Sequence, residues 1–343
     1  MERMLPNIFL GMPSSRVVEA LRVAQRVELA VGDLLMDEGD QDTSLVVVVE
    51  GKLAVWKGGV QVGEVGEGAL LGEMALFTGE ERRAKVTALT RGSVLVLDAL
   101  GLKALRRAGN PVAARVEREA LQTVASRVRA VGERIGALAE GSAVARCLPS
   151  KGFFARVASL LGGGGREQVA VDAAQVLRGS SFFPSVDREV EETVGEVLTG
   201  LRCGSGDFLC TEGEEGEAMY VIASGQVDVL IETRDDRVEP IARLGPGEVF
   251  GTVALIQRQP RMASCVARGE VVVLELDRAR WEELDQSGSK AASWLRRSLI
   301  RGLSEQLDYA NAQLAEHVGG RGAPLSRASA GVTAHGRFLE GRA

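Results

Sequence analysis

Between Leu71 and Val86 the chain reads LGEMALFTGEERRAKV, a segment that brings several chemically useful residue types together. Gly72 and Glu73 open a short helical turn, Ala75 follows, and nine residues after Glu73 come Arg82, Arg83, Ala84 and a new strand. Backbone N–H groups at the start of such a turn point outward and favour an anion. Arg82 supplies a planar fork for phosphate oxygens, and the Glu73 carboxylate can accept hydrogen bonds from a sugar hydroxyl. Together these residues describe a cradle for a small anion that also bears hydroxyls. A carboxylate beside an arginine inside one barrel also fits a plain internal salt bridge, and spacing alone leaves both readings open. Arg83 either adds a second cation beside the anion or points to solvent, the reading preferred here.

Other site chemistries find little support. The four cysteines, Cys147, Cys203, Cys210 and Cys265, form no CxxC pair, and the only histidines are His317 and His335. A zinc cluster is not expected, nor is a metal site on a barrel wall, which usually needs two or three histidines. The cysteines read as free thiols in a reducing cytosol. LGGGGR at Leu161 to Arg166 has no following Lys-Ser/Thr, so it reads as an interdomain turn rather than a phosphate loop.

Elements able to position the cradle emerge from self-comparison. GDLLMDEG at Gly32 to Gly39 recurs as GDFLCTEG at Gly206 to Gly213, and LVVVVEGKLAV around Gly51 recurs as MYVIASGQVDV around Gly225, both offset by 174 positions. GEGALLGEMALF from Gly66 matches GPGEVFGTVALI from Gly245, and Arg82 matches Arg261, at an offset of 179. The five extra residues fall in IETRDDRVEP, a polar hairpin loop. Each copy consists of short β-branched runs punctuated by Gly and Gly-Asp turns, the pattern of a jelly roll or small barrel. The predicted fold is mainly β with α, two jelly-roll β-barrels each followed by a long helix.

SSRVVEALRVA and SVDREVEETVGEVLTGL precede the two copies as helical segments. From about Pro111 to Glu140 runs a long predicted helix, with Leu121, Val124, Val128, Val131, Ile135 and Leu138 spaced 3, 4, 3, 4, 3. That is a coiled-coil seam, read here as a homodimer interface, with packing on the chain's own domain as the alternative. A second long helix runs from Lys290 to Val318, with Ile300, Leu303, Leu307, Ala310 and Leu314 on one stripe. The expected division is a first domain over 1–140, a helical linker over 141–180, a second domain over 181–318 and a disordered tail over 319–343.

A length of 343 residues suits two domains at roughly 150 residues each. With 45% hydrophobic and 26% charged residues the composition is that of a soluble globular protein. The net charge of −6 argues against a chain that coats DNA. MERMLPNIFLGMPSS is too short and interrupted for a signal peptide, and no apolar run approaches the ~20 residues of a membrane helix, so a cytoplasmic location without membrane contact is expected.

Both copies resemble cyclic nucleotide-binding domains, and LGEMALFTGEERRAKV resembles that family's phosphate-binding cassette, preceded in the family's order by the glycine-turn blocks. The resemblance covers about Leu10 to Leu138 and about Phe182 to Val318. It implies that Gly72 and Glu73 hold the ribose 2′-hydroxyl, Arg82 the cyclic phosphate, and the Ala75 and Ala84 backbone the phosphate turn. Leu71 stands where the family often has an aromatic residue, and Arg83 where it often has a small residue or Thr. The second cassette, Phe250 to Val266, keeps Gly251, Ala254, Pro260, Arg261 and Ala263 but has Thr252 where the ribose-binding carboxylate belongs. Losing that charge-assisted hydrogen bond, about 1.5–3 kcal/mol, weakens binding on the order of 10–100-fold. The second domain therefore reads as a degenerate, altered or purely structural copy.

Members of the catabolite-activator type read the adenine partly through a Thr-Ser pair on the dimer helix; here the pair falls at Val131 and Gly132. The segment from Ala143 to Phe183 lacks a tight helix, short turn and basic recognition helix, so specific DNA binding is not expected. The tandem order instead resembles the regulatory subunit of cAMP-dependent protein kinase, without that family's docking segment or pseudosubstrate arginine pair ahead of the first domain. The implied function is a non-enzymatic sensor with cAMP or cGMP as ligand, no other cofactor, and a protein effector as partner. The alternatives are a ligand-independent scaffold with relic cassettes and an atypical transcription regulator.

Overall fold

In a computed structural model, residues 7–141, 166–232 and 238–318 are described here. Most of the expected linker, the 233–237 hairpin loop, Cys147 and the tail from Gly319 lie outside them. The chain divides into two compact units, Met1–Leu121 and Gln122–Ala343.

The first unit contains eight strands: β1 (Gln25–Leu29), β2 (Leu34–Met36), β3 (Leu45–Glu50), β4 (Leu53–Lys57), β5 (Val60–Val65), β6 (Leu70–Leu71), β7 (Lys85–Ala88) and β8 (Gly92–Leu97). They form two four-stranded antiparallel sheets, ordered β1-β8-β3-β6 and β2-β7-β4-β5. The LVVVV run of β3 is buried on both faces, which explains why it is continuously apolar rather than alternating. Val46 and Val48 join Leu53, Val86 and Val94 in one core cluster. Leu45, Val47 and Val49 join a second cluster with Val17 and Ala20 of α1 (Ser14–Val23) and Leu102 and Leu105 of α3 (Ala99–Arg107). Between them in the sequence lies the cassette helix α2 (Glu73–Thr78).

Helix α4 (Pro111–Gly141) starts with the N–H-less Pro111 in its first turn and with the Asn110 side chain accepting from Val112 N at 3.0 Å. Of the seam residues, Leu121, Val124, Val128 and Val131 are buried in the chain, while the side chains of Ile135 and Leu138 lie outside those described. A 3,4 spacing marks an apolar stripe but not what covers it. In the second unit, Gln122, Ser126 and Arg129 of this helix bond to residues of the second cassette.

The second unit contains β9 (Glu167–Gln168), α5 (Ala173–Gly179), α6 (Arg188–Glu196), β10 (Thr199–Cys203), β11 (Phe208–Cys210), β12 (Ala218–Glu232), β13 (Val238–Leu244), β14 (Val249–Phe250), α7 (Thr252–Gln257), β15 (Ser264–Asp277), α8 (Arg278–Gln286) and α9 (Lys290–Val318). Its sheet runs β13-β12-β15-β10-β9, with β11 on β15 and β14 on β12. β12 and β15 are each continuous where the first copy breaks into β3–β4 and β7–β8. Along α9, Ile300, Leu303, Leu307 and Ala310 are buried as the stripe requires. Gly302 lets the Phe182 ring lie against the helix backbone; a Cβ there would sit 2.0 Å from Phe182 Cε2.

Candidate functional site

In the first copy β6 ends at Gly72, whose φ of 80° turns the chain into α2. A side chain is excluded here twice over. The left-handed conformation disfavours it, and a Cβ would lie 2.1 Å from Arg82 Nη1. Arg82 therefore lies over the turn that starts the cassette, buried to 4% exposure. Its Nη1 donates to Gly72 O at 3.4 Å, and its Nη2 donates to Ser44 O at 2.6 Å, to Ser44 Oγ at 3.0 Å and to the Asp42 carboxylate. Its backbone is pinned on both sides, Arg82 N donating to Asp40 O and Gly39 N to Arg82 O. Its Nε has no hydrogen-bond partner. Asp42 also accepts from Ser44 N and Oγ. Partial burial opposes its ionisation, but hydrogen bonds from Arg82 and Ser44 outweigh that and hold its carboxyl below the usual range.

The second copy repeats this frame. Gly251 has φ 81° at the start of α7, and Arg261 Nη1 donates to Gly251 O at 2.9 Å and Nη2 to Ala218 O at 2.7 Å. Arg261 N donates to Glu214 O and Gly213 N to Arg261 O, the same pair of backbone pins. Ser44 and Ala218, Asp40 and Glu214, and Gly39 and Gly213 are all related by the 174-residue offset found in the sequence.

The cyclic nucleotide-binding domain family matches residues 26–108 and 201–287. The chain is a tandem cyclic nucleotide-binding domain protein. It is 24% identical over 281 residues to the cGMP-dependent protein kinase egl-4 of Caenorhabditis briggsae, a match that covers 81% of this chain and 30% of the kinase. Among solved structures it is similar to a regulatory subunit of a cAMP-independent protein kinase A from Trypanosoma brucei, in a mutant bound to cAMP in the A site. That match has 20% identity, a TM-score of 0.34, and covers 91% of this chain and 93% of that one. A cyclic nucleotide-binding domain from Methylobacillus flagellatus is 22% identical over 44% of this chain and 83% of its own, with a TM-score of 0.38.

The two cyclic nucleotide-binding domains differ in how their arginines are neutralised. Position 42 of the first domain corresponds to Gly216 in the second. A Cβ at Gly216 would lie 2.3 Å from Ala254 Cβ, so no carboxylate can stand there, and neighbouring Glu217 is paired with Arg278 at 3.0 Å. Among the described residues Arg261 forms no ion pair. Carbonyls accept from it, the Tyr220 ring lies 6.0 Å from its guanidinium carbon, and its buried Nε has no partner. Tyr220 in turn stacks on Phe250 with ring centroids 5.0 Å apart, and burial pushes its phenol above the ordinary range. Arg261 lines a small, partly open cavity of about 50 Å³ together with Thr252, Ala254, Ala263, Phe250, Cys210 and other residues.

Each residue singled out from the sequence can now be located. Glu73 and Ala75 are buried in α2, Glu73 engaged by a polar partner, and Ala84 lies just before β7. Arg83 is partly exposed: its guanidinium pairs with the exposed Glu80 and lies 3.9 Å from Met74 Sδ. Asp42 and Ser44 escaped the sequence reading, although a copy-specific acid at a position where the repeat has Gly216 was a signal for them. Arg129 also escaped it: its Nε donates to Gln257 Oε1 at 2.7 Å and its Nη2 to Pro260 O at 3.0 Å, beside the second cassette. No helix among the described residues is long and apolar enough to cross a membrane, and no group of three metal-ligating side chains occurs among them.

Proposed function

We propose that this chain is a cytoplasmic cyclic nucleotide sensor without catalytic activity of its own. In this reading cAMP binds the first domain, and helix α4 carries the change to a protein effector. The observation that carries it is the buried Arg82, held across the Gly72 turn in a complete cassette with its guanidinium already oriented. The cyclic phosphate takes Arg82 from Asp42, one anion replacing another. Gly72 and Glu73 hold the ribose 2′-hydroxyl, and the Ala75 and Ala84 backbone lines the phosphate turn. Val131 and Gly132 offer no side-chain hydroxyl to a base, so the choice of cAMP over cGMP rests on the pocket. Calorimetric titration of the full chain with cAMP and cGMP tests this; saturable binding with cAMP preferred is expected, and no heat with either ligand contradicts it.

A second observation favours a ligand in the second domain too. Arg261 is a buried cation without a carboxylate partner beside a cavity, and such a charge is stabilised by an anion. With Thr252 in place of a carboxylate, that site reads as one of altered specificity. A homodimer remains part of the reading, and light scattering on the full chain measures it directly.

A further inference from the structure

The second domain's cavity holds a pair of thiols. Cys210 on β11 and Cys265 on β15 are register partners across antiparallel strands, just past a bulge between Phe208 and Cys210, and 55 positions apart in the sequence. Directly opposed residues in such a ladder have Cα atoms about 4.5–5.5 Å apart, inside the roughly 4.4–6.8 Å window of a disulfide. Both side chains face the same core cluster, both line the half-open cavity, and both are unbonded cysteines. The Cys210 thiol donates to Ala263 O at 3.8 Å, two residues before Cys265. The third described cysteine, Cys203, lies opposite Val271, and burial holds its thiol above the ordinary range, so it has no such partner and little thiolate.

We propose that Cys210 and Cys265 form a reversible dithiol/disulfide pair in the second domain's cavity, oxidised by a small-molecule disulfide that enters through the cavity mouth. Cys210 is the attacking thiol: the neighbouring Cys265 thiol and the positive charge of Arg261 hold it below the ordinary thiol range, although burial opposes them. Its thiolate attacks one sulfur of the disulfide RS–SR. That S–S bond breaks, a Cys210–SR bond forms, and RS⁻ leaves and takes up the proton Cys210 lost. Cys265 then gives up its proton and attacks the Cys210 sulfur, forming the Cys210–Cys265 bond and expelling the second RS⁻, which takes up that proton. Two protein thiols are oxidised and one small disulfide is reduced to two RSH. The new bond ties β11 to β15 four residues after Arg261, beside the loop whose Glu214 carbonyl holds the Arg261 backbone, so the redox state is coupled to the anion end of this cavity.

The test incubates the native full chain with oxidised glutathione, quenches with acid, and maps peptides without reduction. A Cys210–Cys265 linked peptide is expected, with the free-thiol count of the denatured product falling from four to two. In Cys265→Ser the reaction should stop at a single glutathione adduct on Cys210. Retention of all four thiols, a link that uses Cys147 or Cys203 instead, or a Cys210–Cys265 link that forms only after unfolding in denaturant would overturn the proposal. The wild-type map decides the matter even if the variant fails to fold, and it needs no cyclic nucleotide, so its outcome is independent of the sensor reading.

Discussion

Replacing Asp42 by Asn isolates the competition at the first cassette. The substitution keeps the shape of the side chain, and Asn can still accept from Ser44 N, but it removes the negative charge that faces the Arg82 guanidinium. The Arg82 side chain is 3% exposed and that of Asp42 56%. A fully buried pair at about 4 Å would interact by roughly 4 kcal/mol at an effective dielectric of 20. An exposed pair is worth about 0–1 kcal/mol. With one partner in each regime, about 1–2 kcal/mol of the pairing is lost when a phosphate takes over Arg82. Asp42→Asn should therefore tighten cAMP binding about 5–30-fold, at about 1.4 kcal/mol per tenfold. Without ligand the variant should melt lower, because a buried guanidinium has lost its counter-charge, and saturating cAMP should recover much of the difference. Calorimetry and thermal melts on the full chain read both effects. Equal or weaker binding by a folded Asp42→Asn chain would refute the idea that Asp42 and the ligand compete for Arg82.

Thr252→Glu places a carboxylate in the second cavity and should raise its affinity for cAMP by about tenfold, one charge-assisted hydrogen bond, as measured by titration in an Arg82→Ala background. Gly302→Ala drives a methyl into the Phe182 ring and should destabilise the chain by about 1–3 kcal/mol, read from denaturant midpoints. The depressed carboxyl of Asp42 gives acid lability a defined sign. Its contribution to stability is fully present above the ordinary carboxylate range and is lost as pH falls through its lower folded value, so the wild-type chain should lose more stability than Asp42→Asn on acidification below about pH 4, as followed by melting temperature.

The repeat was legible because glycine turns impose themselves locally. Gly72 and Gly251 both need left-handed backbone, so the blocks around them survive even where the neighbouring side chains have changed. The extents of α4 and α9 followed from apolar spacing, and they match the structure closely. Asp42 was hidden because its partner is 40 positions away and only the fold brings the two together. The Cys210–Cys265 pair was hidden for the same reason: strand register, not a CxxC spacing, makes it. The α4 seam left two readings open because an apolar stripe that packs within its own chain has the same 3,4 spacing as one that packs on a second copy. The Arg83–Glu80 pair was not read from the sequence, because only the backbone turn at Gly79 brings the two side chains together.

The most direct measurement of the sensor reading is calorimetric titration of cAMP into the 343-residue chain, its Arg82→Ala variant and its Arg261→Ala variant under one buffer and salt condition. Losing the bidentate phosphate partner should cost about 2–5 kcal/mol at the site that uses it. The expected result is a saturable cAMP site in the wild-type chain that Arg82→Ala abolishes and Arg261→Ala leaves in place. Unaltered cAMP binding in a folded Arg82→Ala chain, or loss of that site in Arg261→Ala alone, would contradict the assignment of the ligand to the first domain.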